Sequence, residues 1–324
     1  MAWHLALTGL LVGWLVGATG MGGGSLMTPI LVLLFGFQPA LAVGTDILHG
    51  AIFKTFGALR HRRLGTVHAR LSGWMLVGSA PASLGGVALA TWLRHRYGDS
   101  GNVSEQILGV ALVLGGLGLL AKALVRANES APESFWLTPR DRVAALSIGL
   151  VGGFVVGLTS IGTGVFFGLT LLIAFPLRSS KVVGTDIFHA AALLWVAGAG
   201  HLVAGNVALG TVGWLLVGSI PGVLLGAQLS VSIPDRTLRM ILGTTLILSG
   251  FVMSGPRVAG MAAAATILGG LVWIATPAFR RSSPHARRGS GERAPADVAL
   301  SRASLPRAPA SRSAVEAQAG ERLG

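Results

Sequence analysis

Two glycine-rich segments carry the residue types that bind small anions in a non-aqueous environment. Residues 17–24 read Gly-Ala-Thr-Gly-Met-Gly-Gly-Gly, and residues 157–164 read Gly-Leu-Thr-Ser-Ile-Gly-Thr-Gly. Glycine frees the backbone from helical angles, and a broken helix presents free amides and a positive dipole end to an anion. The alternative is that the glycines only allow close helix packing. Duplication of the pattern, with hydroxyl donors in both copies, favours a binding site.

A Thr-Asp-x-x-His motif follows each glycine segment, at residues 45–49 and at residues 185–189. Residues three apart share a helix face, and acid–histidine pairs inside membranes are typical of proton relays. Helix capping or packing explains the motif equally well. The proton-coupling residues that the motif predicts are Asp46, His49, Asp186 and His189.

Lys54 lies on the same predicted helix as Asp46, and the second copy has Leu194 at the matching position. A lysine inside a membrane span costs about 2.5–3.5 kcal/mol, so it must meet a partner or a substrate. The other interpretation is that its side chain extends to the membrane surface near Arg60. The sequence favours this second interpretation.

The elements that position these residues are membrane helices. Of 324 residues, 52% are hydrophobic and 11% charged, and the mean hydropathy is +0.70. Soluble domains have about 25% charged residues, and several apolar stretches reach the ~20 residues that cross a bilayer. Arginines in short loops and in the C-terminal segment explain the net charge of +13 better than nucleic-acid binding does. The lack of cysteine excludes disulfides, thiolate metal sites and cysteine nucleophiles.

The apolar runs predict two glycine-interrupted elements, each followed by full spans. The interrupted elements cover about residues 4–35 and 143–175, and the further spans lie near residues 41–59, 71–93, 106–125, 182–203, 212–231, 238–253 and 258–279. From residue 280 onward Pro, Ser, Ala and Arg predominate without hydrophobic periodicity. That composition predicts a disordered tail.

The two halves of the chain are copies of one unit. A shift of 140 residues brings Gly17 onto Gly157 without a gap, and the same shift aligns Thr, Asp, His, Trp and Pro residues. Hydrophobic similarity alone would not preserve these residue types in register. The predicted organisation is membrane repeat 1 at residues 1–126, a linker at 127–139, membrane repeat 2 at 140–279 and a disordered basic cytoplasmic tail at 280–324.

Loop charges indicate that the repeats are inverted. Residues 60–63 read Arg-His-Arg-Arg, whereas their counterpart region 200–210 has no Lys or Arg; residues 178–181 carry Arg and Lys, whereas 36–41 are uncharged. Equivalent loops of opposite charge are what inverted repeats produce when cytoplasmic loops are positive. A glycine-broken hairpin ahead of three spans gives the odd number of crossings that inversion needs. The basic residues 94–96 disagree, because they would face outward.

Several short motifs lie in the glycine segments and in the spans that follow them. They comprise Gly17-x-Thr19-Gly20-x-Gly22-Gly23-Gly24 with Pro29, Ala42-Val43-Gly44-Thr45, the pairs His61/Gly65 and His201/Gly205, and the pairs Gly78/Pro81 and Gly218/Pro221. Together they resemble the TauE/SafE sulfite exporter family of membrane permeases over about residues 5–279. The resemblance implies export of a small sulfur-containing anion, such as sulfite, sulfoacetate or another organosulfonate. Thr163 in place of a glycine and Leu169 opposite Pro29 make the half-sites unequal. The aspartate after Gly-Thr in both repeats departs from the small polar residue that the family pattern leads us to expect, which leaves the exact ligand open.

The sequence therefore predicts an all-α polytopic membrane protein of two inverted repeats, each a Gly-broken helical hairpin plus three spans, with one extra C-terminal helix region. The predicted function is secondary transport by alternating access across the bacterial cytoplasmic (inner) membrane, in the direction of export. The predicted substrate-binding residues are Thr19, Gly20, Gly22, Gly23, Gly24, Thr45, Thr159, Ser160, Gly162, Thr163, Gly164 and Thr185.

The expected partners are a small anion and membrane lipid, without nucleic acid, cofactor or metal, and a homodimer is left open. No catalytic activity is expected, and no Walker motif for ATP use is present. The alternatives that stay open are an anion channel, an importer of another small anion and, with least support, an intramembrane enzyme.

Overall fold

The fold is known from a computed structural model, which describes residues 2–19, 24–97, 102–125, 135–229, 235–255 and 260. These residues form helices and connecting turns, with no strand among them. The helices are α1 (Ala2–Thr19), α2 (Gly24–Leu33), α3 (Pro39–Arg63), α4 (Ala69–Tyr97), α5 (Asn102–Leu124), α6 (Pro139–Thr159), α7 (Phe166–Ala174), α8 (Ser179–Val203), α9 (Leu209–Leu229) and α10 (Asp235–Ser254).

The helices have the length and composition of a multi-pass membrane protein. Four of the described helices are long and apolar enough to cross a membrane: Ala69–Tyr97, Val103–Leu124, Pro139–Thr159 and Ser179–Val203. Three shorter apolar helices, Ala2–Val16, Leu209–Leu225 and Arg239–Ser254, accompany them. Large aliphatic side chains such as those of Val77, Leu150 and Leu224 are exposed on the outside of the bundle. Lipid rather than water is the solvent that suits such a surface.

Local sequence signals set the helix ends. At the start of α6, the Thr138 hydroxyl accepts from the backbone of Asp141, and the Asp141 carboxylate accepts in return from the Thr138 backbone, which is a capping box. At the ends of α3 and α8, Gly65 and Gly205 adopt φ of 67° and 69°, the left-handed conformation that ends helices. The basic residues 60–63, predicted as a loop, form the last turn of α3. The prediction placed that helix end four residues too early.

Each repeat packs mainly on the other repeat. Helix α1 lies along α9, and its equivalent α6 lies along α4. A Cβ atom at Gly13 would overlap Ser219, and one at Gly153, the equivalent glycine, would overlap Ser79. Small residues spaced four apart let these helix backbones touch. The duplication seen in the sequence therefore appears in the structure as reciprocal contacts 140 residues apart.

Equivalent helices of the two repeats run in opposite directions where they meet. Near the start of α3, Thr45 bonds Ala208, just after the end of α8, and near the start of α8, Thr185 bonds His68, just after the end of α3. In α5 and α10, Gly109 touches Ser254, whereas the later Gly116 touches Gly243. Both equivalent pairs are thus antiparallel.

The predicted spans correspond to helices throughout the described chain. Both glycine-interrupted elements are split, into α1 and α2 and into α6 and α7, and the remaining spans up to residue 253 are single helices. The predicted span at 258–279 lies outside the described residues, apart from residue 260. The predicted tail at 280–324 and most of the linker at 127–139 also lie outside them.

Candidate functional site

The second glycine segment forms a buried turn between α6 and α7. Residues 160–165, here called the break turn, leave helical geometry, and all of them are buried. Ser160 (φ 62°), Gly162 (φ 149°) and Gly164 (φ 88°) have positive φ, which glycine adopts without steric cost. Non-helical backbone at this depth needs polar partners inside the protein. Some of those partners are charged side chains.

Four buried charged side chains from three helices bind the break turn. They are Asp46 and Lys54 from α3, Lys122 from α5, and Asp186 from α8, each at most 4% exposed. The Ser160 hydroxyl donates to Asp46 Oδ2 over 2.9 Å, and the Gly164 amide donates to Asp186 Oδ1 over 3.3 Å. Lys54 Nζ donates to Thr163 Oγ1 and Lys122 Nζ donates to the Gly164 carbonyl, both over 2.7 Å. Two ammonium groups and two carboxylates thus contact the break turn.

The lysines are the part of the site that the sequence did not reveal. Extension of Lys54 to the membrane surface was the favoured prediction, and it is wrong: the side chain is 2% exposed and points to Thr163. Lys122 was not singled out, because a single lysine near the end of an apolar helix has the usual appearance of a helix terminus. Lys54 has no lysine at the equivalent position, where the chain carries Leu194, and α10, the helix equivalent to α5, contains no lysine. The positive charge therefore comes from the first repeat alone.

The two aspartates have different surroundings. Asp46 Oδ2 accepts from the Thr28 hydroxyl over 2.5 Å as well as from Ser160. The residue equivalent to Thr28 is Gly168, and a Cβ there would lie 3.1 Å from Asp186 Oδ2 and would overlap Lys122 Nζ. Gly168 thus leaves space for the Lys122 ammonium group beside Asp186. At the equivalent position in the first repeat, Thr28 instead donates its hydroxyl to Asp46. The half-sites are unequal, and more so than the glycine-to-threonine change predicted.

Thr45 and Thr185, predicted as substrate ligands, face away from the break turn. The Thr45 hydroxyl accepts from the Ala208 amide over 3.0 Å, and the Thr185 hydroxyl accepts from the His68 amide over 2.9 Å. Both threonines are fully buried. In this conformation each ties the start of its helix to the loop of the other repeat.

The histidines of the Thr-Asp-x-x-His motif bind serines of the other repeat instead of their own aspartates. His49 Nε2 shares a hydrogen bond with Ser219 Oγ (2.8 Å), and His189 Nε2 shares one with Ser79 Oγ (2.9 Å). The Nδ1 atoms of both rings have no hydrogen-bond partner among the described residues, and neither has Asp46 Oδ1. These orphaned buried atoms are the available positions for a proton or a ligand.

A second layer of contacts holds α6 just before the break turn. His201 is fully buried and its Nε2 donates to the Gly157 carbonyl over 2.8 Å. Asn206 lies against His201 and accepts from Arg94 over 2.6 Å. The basic residues 94–96, which disagreed with the charge pattern, thus include one arginine whose position is set by a contact between the repeats.

The glycines of the second segment have two different structural roles. Gly157 allows close packing, because a Cβ there would overlap Ser83 of α4. Gly162 and Gly164 instead permit the turn. Thr159 bonds its own helix, to the Val155 carbonyl over 2.7 Å. In the first segment α1 ends at Thr19 and α2 begins at Gly24, and Gly20, Gly22 and Gly23 lie outside the described residues.

A cleft leads towards the break turn from the end of the bundle where α4 terminates. Its volume is about 20 Å³, room for about one water molecule. It is lined by the first turns of α3 and α5 and by the last turns of α4 and α6, including Pro39, Ser104, Leu93 and Thr159. Thr159 directly precedes the break turn, so the cleft ends beside it.

Comparison with known proteins agrees with this architecture. A profile of the family described as Sulfite exporter TauE/SafE matches residues 5–253. The chain belongs to the TauE/SafE family. It is similar to the Bacillus subtilis (strain 168) protein named "Probable membrane transporter protein YjnA", with 38% identity over 256 residues, covering 77% of this chain and 98% of that protein. The TauE/SafE resemblance inferred from the motifs is therefore confirmed.

Two further relatives carry the same kind of name. The B. subtilis "Probable membrane transporter protein YdhB" is 25% identical over 251 residues (77% of this chain and 98% of that protein), and "Probable membrane transporter protein YunE" is 25% identical over 269 residues (76% and 94%). No solved structure matches the chain significantly. The protein is a multi-pass membrane transporter, and no cluster of metal-ligating side chains occurs in the part of the chain that the structure describes.

Proposed function

We propose that this TauE/SafE protein is a secondary transporter that exports a small sulfur-containing anion, sulfite, sulfoacetate or another organosulfonate, across the bacterial cytoplasmic membrane. The observation that carries the proposal is the break turn with Lys54 and Lys122 against it. Unpaired backbone groups and buried cations are both costly in a bilayer, and they persist where they serve a substrate pathway. Together they provide amide and ammonium donors for an oxyanion.

The orientation of the repeats supports alternating access. Equivalent helices run antiparallel, and α3 and α8 are each 25 residues long, about 37 Å at 1.5 Å per residue, enough to cross a bilayer. If both cross it, the repeats are inverted. Lys181 donates to the Gly65 carbonyl and so lies on the face that carries residues 60–63. We assign this basic face to the cytoplasm.

The moving bodies in this mechanism are pairs of helices from different repeats. The α1–α9 pair and the α4–α6 pair are joined by glycine contacts that leave no space for a Cβ. Rocking one whole repeat against the other would break both contacts at once. We therefore propose that these two mixed pairs tilt about the central α3–α8 contact, exposing the break turn to each face in turn.

The acids and histidines remain our candidates for proton coupling. Asp46 and Asp186 contact the break turn directly, whereas His49 and His189 link the repeats through Ser219 and Ser79. A proton on an aspartate changes the charge beside the substrate. A proton on a histidine Nδ1 changes the contact between repeats. Both kinds of change couple protonation to transport.

Flux through purified protein tests the proposal. The protein is reconstituted into liposomes loaded with sulfite, sulfate, thiosulfate, sulfoacetate or acetate, and efflux of each anion is measured. We expect saturable efflux of sulfite or a sulfonate that greatly exceeds efflux of acetate. Efflux no faster than from empty liposomes would contradict transport, and ion currents far above transporter turnover would favour a channel instead.

A further inference from the structure

Asp186 occupies the position in which a substrate anion would bind the break turn. Its Oδ1 accepts from the Gly164 amide over 3.3 Å, and a Cβ on Gly168 would lie 3.1 Å from its Oδ2. The Lys122 ammonium group lies at the same Gly168 and interacts electrostatically with the carboxylate. An amide and an ammonium group are the two donors that oxyanion sites use. The Asp186 carboxylate therefore binds the same two donors, the Gly164 amide and Lys122, that we propose bind the substrate.

We propose that the substrate is a monoanion which displaces Asp186 from Gly164 and Lys122, and that each bound anion is accompanied by one proton taken up by Asp186. This inference rests on the proposed function and adds to it the charge of the substrate and the identity of the coupling ion. The proton binds the carboxylate and no other bond forms or breaks. The released amide and ammonium group then bind the anion.

The charge balance of the site fixes the substrate charge. Among the described residues, the charged groups that bind the break turn are two lysines and two aspartates, so their formal charges cancel. A further anion would leave a buried net negative charge, which is strongly unfavourable. Protonation of Asp186 leaves a net charge of one positive unit, which a monoanion neutralises. A dianion would require a second proton.

Asp186, rather than Asp46, is the carboxylate that an incoming anion would displace. Asp46 accepts hydrogen bonds from the hydroxyls of Thr28 and Ser160. Both donors are neutral, so an incoming anion would bind them more weakly than an ammonium group. The charged side chains that interact with Asp186 are Lys122 on α5 and Lys54 on α3. The neighbouring histidines are His68, whose amide binds the adjacent Thr185, and His189 on α8 itself. His68 is held by the Phe135 carbonyl and the Leu71 amide, and His189 by Ser79.

Calorimetric titration of the purified protein tests the inference. The probe is methanesulfonate, which stays a monoanion across the pH range used, and titrations in buffers of different ionisation enthalpy give the protons taken up per anion. For the unmodified protein above the pH at which Asp186 ionises, we expect about one proton per anion and about a tenfold loss of affinity per pH unit. Asp186→Asn should take up no proton and bind with an affinity that does not change with pH.

Asp141→Asn is the matched control, because Asp141 is a carboxylate in the first turn of α6, at the opposite end of that helix from the break turn, and its variant should keep the pH slope. Binding without proton uptake by the unmodified protein overturns the inference and leaves the proposed function intact. The same pH slope in Asp186→Asn also overturns it. If Asp186→Asn does not fold, the proton count of the unmodified protein decides alone. Lack of binding by any anion tested overturns both proposals.

Discussion

Replacement of Lys54 by leucine isolates the contribution of one buried cation. Leucine is the residue that the second repeat carries at the equivalent position, where Leu194 is 1% exposed, so its shape suits a buried helix position. The change removes an ammonium group that donates to Thr163 over 2.7 Å and interacts with Asp46 and Asp186. A hydrogen bond to a charged group contributes about 1.5–3 kcal/mol. We therefore expect anion affinity to fall by about 10- to 150-fold.

The measurement is anion binding by calorimetry, together with thermal unfolding in detergent. Loss of one partner from a buried charge network costs about 3–5 kcal/mol, so the melting temperature should also fall. Adding Asp46→Asn should restore stability without restoring affinity. The control is Lys181→Leu, since Lys181 binds Gly65 at the exposed end of α3 and its loss should change affinity by no more than about twofold. A folded Lys54→Leu protein with unchanged affinity would refute the role of Lys54.

Three further predictions concern the scaffold. Gly153→Leu should lower the free energy of unfolding by about 1–3 kcal/mol, because α6 and α4 must separate. Gly73→Ala should not lower it, because no atom lies within 4 Å of the added Cβ. Equal melting temperatures of the two variants would show that the contact between α6 and α4 is not tight. His201→Ala should lower stability by about 1–3 kcal/mol, because it leaves the Gly157 carbonyl unpaired. Thermal unfolding of His201→Ala checks this against His61→Ala, which removes a ring bonded to Thr66 in the part-buried α3–α4 loop. The chain has no cysteine, so single cysteines at Arg62 and Leu209 can be labelled from one side of intact cells; labelling of both from the same side would exclude inverted repeats.

The break and the duplication were predictable because they depend on local chemistry. Glycine at Gly162 and Gly164 signals positive φ, and a 140-residue offset preserved through Asp46 and Asp186 signals a repeated helix. Every described helix therefore agrees with a predicted span. Such features can be predicted without knowing which helices are in contact.

The composition of the site was less predictable because it depends on which helix faces meet. Thr45 and Asp46 are adjacent, so they point about 100° apart on the helix, and the sequence cannot tell which of them faces the turn. Lys122 reaches Gly164 only because α5 passes beside α7. The serine partners of the histidines were missed for the same reason.

The exchange of packing partners between the halves has a consequence for biogenesis. Since α1 lies along α9 and α4 lies along α6, the first half of the nascent chain leaves the ribosome before the surfaces that cover it exist. Cooperative folding must then wait for synthesis to reach α9, and neither half should be stable when expressed by itself. Two co-expressed fragments, divided between α5 and α6, should nevertheless assemble, as an ancestral pair of identical subunits would have done before the gene was duplicated.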